Sequence, residues 1–132
     1  MSGSPATSTT RAAFALGAAF TTAMALWLLF VTTTILPARD PAHVPLWRGV
    51  ALGFLAWAML SAWCLVRPPR GGLLRAALFG IALLACVLGV FAAVRTLAGD
   101  PAHFEGYLVV MGVLLAAHGA AGLAWVRGLP AS

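Results

Sequence analysis

Four apolar runs, at roughly 12–36, 46–66, 73–98 and 104–126, divide the chain, and short segments rich in Pro, Gly and charge separate them. Each run is long enough to cross a hydrocarbon core of ~30 Å at ~1.5 Å of helical rise per residue. The runs are apolar on all sides and lack the alternating segments of about ten residues that a transmembrane barrel needs. A span without water must satisfy its own backbone, which it does as a helix. The pattern therefore predicts an all-α polytopic membrane protein, a four-transmembrane-helix bundle over residues 11–128. Short connections make consecutive helices antiparallel neighbours. Residues 1–10 and 129–132 read as tails, the first of them polar and disordered. The first run exceeds the 7–15-residue core of a secretory signal peptide and no clear small-residue cleavage site follows it, so it reads as a retained helix.

Composition strengthens this picture. Hydrophobic residues are 62% of the 132 and charged residues 8%, against roughly 25% charged in soluble domains. The net charge of +5 would suggest nucleic acid in a soluble protein. Here the basic residues, all Arg, stand singly at the ends of apolar runs and make no basic face, so nucleic acid is not an expected partner. The lipid bilayer is, together with a membrane-protein partner or further copies of the chain. The absence of Lys and the abundance of Ala and Gly suggest a bacterial, GC-rich source.

Charge also predicts orientation. One side carries Arg11, Arg67, Arg70, Arg75 and Arg127; the other carries Arg39, Arg48 and Arg95 with all three acids, Asp40, Asp100 and Glu105. The positive-inside rule counts basic residues in short loops, which puts both termini in the cytoplasm of an inner (plasma) membrane protein.

The two outer loops share a string, Asp40-Pro41-Ala42-His43 and Asp100-Pro101-Ala102-His103, and Arg11-Ala12-Ala13 is echoed by Arg75-Ala76-Ala77. This is the pattern of a duplicated two-helix hairpin, giving parallel repeats about an axis along the membrane normal. Asp before Pro is a helix start: the carboxylate caps free N–H groups and Pro takes the position where its missing donor costs nothing. His three residues on can hydrogen-bond back to Asp. The alternative is a metal site of Asp40, His43, Asp100 and His103, a donor set suited to zinc or another first-row ion.

Ionisable groups inside the hydrocarbon are functional candidates by default, and only His118 lies deep. It sits eight residues before Val126, about 12 Å in by helical rise, among Ala116, Ala117, Gly119, Ala120, Ala121 and Gly122. Such small neighbours leave room for a flat macrocycle ligated through the imidazole, which makes His118 the candidate ligand for a haem or chlorophyll-type cofactor. They equally let two helices approach closely. On that plainer reading His118 bonds a hydroxyl at matching depth, with Thr21, Thr22 and Ser61 available, as are Met59 and Cys86. A proton-relay or transport role is the third reading.

The remaining polar residues have structural explanations. Arg95 can snorkel outward to meet Glu105, and Arg48 does the same on the second helix. Thr21, Thr22, Thr32, Thr33 and Thr34 can bond their own backbone. Trp47, Trp63, Trp125 and Tyr107 fall near helix ends as interfacial belt residues do, while Trp27 and Trp57 are deeper. Cys64 and Cys86 lie at different depths, which disfavours a disulfide, and neither belongs to a CxxC pair.

No carboxylate pair, nucleophile–base set or phosphate-binding loop is present, so an enzyme is not expected. An oligomeric small-solute transporter is an alternative, but no acid lies in the first helix as in small multidrug exporters. A single deep His is too few for a two-haem b-type cytochrome. The expectation is a non-catalytic membrane subunit of accessory, assembly or partner-binding type.

Overall fold

The computed structural model describes residues 5–99 and 106–129. Helix α1 spans Pro5–Thr34, and a short α2 (Leu36–Arg39) and a 3-10 turn (Pro41–His43) lead into α3 (Val44–Val66). Helix α4 spans Gly72–Ala98 and α5 spans Gly106–Arg127. The four long helices are each long and apolar enough to cross a membrane, so the chain is built as a multi-pass membrane protein. Where a disordered tail is expected over 1–10, the described part is helical from Pro5, a residue suited to a first helical position.

Proline sets the helix boundaries. Pro37 lies in the first turn of α2, Pro41 opens the 3-10 turn, and Pro45 lies in the first turn of α3. At the other end, Arg67 precedes Pro68 and takes a non-helical conformation, φ −128° and ψ 86°. Proline disfavours helical geometry in the residue before it, and α3 stops there. The chain turns through Pro68-Pro69 and Gly71 before α4 begins.

The consecutive pairs α1–α3 and α4–α5 are packed neighbours, but α3 and α4 are not, contrary to what short connections predict. The helices do not form a symmetric ring. Helix α1 packs between α3 and α5, and α4 packs chiefly on α5, whereas α3 and α4 make little direct contact. A twofold axis relating two equivalent hairpins would make the α3–α4 contact the counterpart of α1–α5. The packing departs from that symmetry.

Small residues make the closest contact, between α4 and α5. A Cβ built on Gly119 would lie 2.6 Å from both the Ala82 carbonyl oxygen and the Cys86 nitrogen, and one on Gly112 would lie 2.6 Å from the Gly89 carbonyl oxygen. Backbone touches backbone there, as membrane helices achieve by placing small residues at the interface. Helix α4 buries only the strip Leu78, Ala82, Ala85, Gly89 and Ala93.

Two apolar clusters fill the interior. One joins Phe14, Trp57, Cys64, Leu78, Leu115 and Trp125; the other joins Met24, Leu28, Ala51 and Met111. Trp125, expected in the interfacial belt, is instead 1% exposed and stacks on Phe14 with ring centroids 5.2 Å apart. Its ring faces inward against Phe14, where position in the sequence shows depth but not direction.

Candidate functional site

His118 is 1% exposed and lies where α1, α3 and α5 converge. Its Nδ1 is 2.7 Å from Thr21 Oγ1 on α1, and its Nε2 is 3.0 Å from Ser61 Oγ on α3. The hydroxyl of Ser61 donates to the Trp57 carbonyl at 2.8 Å. A hydroxyl has one proton to give, so Ser61 accepts from His118. That assigns the proton to Nε2 and leaves Nδ1 as the acceptor of the Thr21 hydroxyl. Hydrogen bonds thus run in one direction, from Thr21 to His118 to Ser61 to the Trp57 carbonyl, and tie three helices together.

Aromatic rings surround the imidazole. Trp57 lies 4.8 Å and Phe14 5.3 Å away between ring centroids. Gly17 lets α1 reach the ring, since a Cβ there would stand 2.8 Å from His118 Cδ2. Two of the small residues beside His118 on α5 are likewise in use: Gly119 meets α4 and Gly122 faces Phe14 and Ala82, while Ala117 and Ala120 are exposed. The space that the sequence suggests for a flat macrocycle is therefore filled by neighbouring helices. An iron or magnesium ligand needs an imidazole lone pair, and the one on Nδ1 holds the Thr21 hydroxyl. This arrangement does not fit a tetrapyrrole. It also suits a proton relay poorly, because the chain of hydrogen bonds ends on a backbone carbonyl that accepts a proton donor but passes nothing on. The Trp57 indole Nε1 is buried without a hydrogen-bond partner.

The other threonines follow the backbone-bonding expectation. Thr22, Thr33 and Thr34 each donate to the carbonyl four residues earlier, and Thr32 donates to Leu29. Thr21 is the one aimed across the bundle. Depth matching alone placed Thr21, Thr22 and Ser61 among the candidates; only the direction each side chain takes from its helix separates Thr21 and Ser61 from the rest.

At the end opposite the Arg-rich loop, the His43 ring and the Asp40 carboxylate are hydrogen-bonded. The carboxylate makes no capping bond to a backbone N–H, which corrects the capping role expected of Asp40, while the expected bond between His43 and Asp40 is present. Asp100, His103 and Glu105 lie outside the described residues, and so do the second copy of the string and the pairing expected for Arg95. Among the described residues no three His, Cys, Asp or Glu side chains gather as a metal would require.

Arginines close the helix ends. Arg11 donates to the Leu65 carbonyl at 3.1 Å, and Arg48 to the Thr32 carbonyl at 3.2 Å. Each supplies a donor to a terminal carbonyl that its own helix leaves unpaired. Arg67 lies over the Trp63 ring, 5.2 Å from its centroid. Both cysteines are free thiols. Comparison with known families, characterised proteins and solved structures finds no match to this chain.

Proposed function

We propose that this protein is a non-catalytic membrane helix bundle that acts by association in the plane of the bilayer, as an accessory or assembly subunit. The observation that carries this reading is the closed hydrogen-bond chain at His118, which joins the one deep ionisable residue to hydroxyls on two neighbouring helices. Such a group holds helices in register, and it presents no reacting centre and no exposed ligand atom. Outward, α4 presents Leu83, Val87, Val90 and Val94, an apolar side available to lipid or to another helix. The same reading includes a bacterial inner-membrane setting with both termini cytoplasmic and an origin by hairpin duplication, resting on the loop arginines and the repeated Asp-Pro-Ala-His string.

Photo-crosslinking amino acids placed at Leu52 and at Val87 test association in intact membranes. A discrete adduct of reproducible mass from either site is the expected result. Solute flux by the purified protein in liposomes, with no adduct from either site, would replace this reading with the transporter. The purified protein in mild detergent is expected to be colourless. A Soret or near-infrared band that disappears in His118→Ala would return the cofactor reading to first place.

A further inference from the structure

A cleft of about 450 Å³ opens at the end of the bundle where α1, α2, α3 and α5 meet. Its walls combine two kinds of chemistry. Trp27, Trp47 and Tyr107 bring three aromatic rings from three different helices, and Arg39 and Asp40 bring opposite charges from adjacent positions. Trp27 and Tyr107 stand edge to face with centroids 5.7 Å apart, which fixes the wall between α1 and α5. The rest of the lining is Thr32 and the aliphatic Leu28, Val31, Ile35 and Leu36.

Aromatic faces attract cations, and rings grouped around one volume recognise quaternary and primary ammonium groups. A carboxylate beside them favours the same charge. Asp40 binds His43 through Oδ2, and a carboxylate has acceptor sites beyond that single bond. Arg39 supplies the opposite preference, since a guanidinium matches the oxygens of a phosphate. A ligand meeting both demands carries a phosphodiester and an ammonium a few bonds apart. It also has an apolar portion for the aliphatic wall. The cleft lies at the ends of membrane-spanning helices, where lipid head groups reside.

We propose that this cleft binds a zwitterionic phospholipid, with its phosphate at Arg39 and its ammonium between the aromatic rings and Asp40. This site is independent of the association proposed above, since it faces the end of the bundle rather than the outer side of α4.

The test uses the full chain, purified in detergent and stripped of lipid. Short-chain phosphatidylcholine and phosphatidylethanolamine, phosphatidylglycerol of equal chain length, and free phosphocholine are titrated while tryptophan fluorescence is followed. Saturable binding of a zwitterionic lipid about ten-fold tighter than phosphatidylglycerol is expected. Arg39→Gln and Trp27→Ala should each weaken it about ten-fold, and Trp27→Phe, which keeps a ring, should weaken it less. Circular dichroism of each variant establishes that the bundle is intact. Equal affinity for zwitterionic and anionic lipids overturns the proposal, and so does binding unchanged by both Arg39→Gln and Trp27→Ala in folded protein. Free phosphocholine binding as tightly as the lipid would assign the cleft to a soluble solute and overturn the lipid.

Discussion

At the scale of single residues, His118 has the most consequence. Truncating it leaves the Thr21 and Ser61 hydroxyls facing a hole between aromatic rings. Interhelical hydrogen bonds in membranes contribute about 0.6 kcal/mol each on average, with a maximum near 1.7, and a cavity from a buried ring adds to that. His118→Ala is therefore expected to cost about 2–4 kcal/mol of stability, measured by reversible unfolding in mixed detergent micelles. A double-mutant cycle with Thr21→Val should return a coupling of about 0.5–2 kcal/mol. A coupling of zero would mean that the Nδ1 bond contributes nothing. Thr22→Val, by contrast, removes only a bond to its own helix and should change stability by less than about 0.5 kcal/mol. The pair Thr21 and Thr22 illustrates how far sequence reaches: both sit at the depth of His118, and a 100° turn of the helix decides which one meets it.

At the scale of elements, glycines of identical type have opposite roles. Gly119 lies against the backbone of α4, with no room for a Cβ, while Gly49 and Gly53 on α3 have nothing within 4 Å of the position a Cβ would take. Gly119→Ala should destabilise by about 1–3 kcal/mol, because it forces two packed helices apart. Gly53→Ala should be neutral or raise stability by up to about 1 kcal/mol, since Gly is a poor residue in a helix interior. Equal effects of the two substitutions would contradict the tight α4–α5 seam. Arg11→Ala should loosen the end of α3, whose Leu65 carbonyl it holds, by about 1 kcal/mol. Faster hydrogen exchange at the last turn of α3, with α5 unaffected, is the expected sign of this local effect.

At the scale of the molecule, two consequences follow from the chain's course. Arg67, Arg70 and Arg75 lie in and beside one short loop, which the topology proposed above puts in the cytoplasm. In a Cys64→Ala/Cys86→Ala background, Gly71→Cys should be shielded from a membrane-impermeant maleimide in intact cells, and Ala42→Cys should react. The reverse labelling would invert the proposed topology. The weak contact between α3 and α4 leaves the bundle open along one side, so its two hairpins are joined chiefly through α1 and α5. The His118 bonds reinforce that join, because they bring α3 into contact with α5 through Ser61.

The fold class was legible from the apolar runs alone, because lipid leaves a spanning backbone no alternative to helix. The count of four long apolar helices was legible too, whereas the short α2 that follows Ile35 was not read from the first apolar run. Depth along each helix could be counted, and it placed His118 near Thr21 and Ser61. Direction around each helix could not. In runs that are apolar on every side, no polar face marks which residues point inward. Tertiary packing therefore decided that Trp125 belongs to the core and that Gly119 and Gly122 beside His118 face α4 and Phe14. It also decided that the two hairpins pack unequally, a choice made by complementary shape between helices, which no single stretch of sequence records.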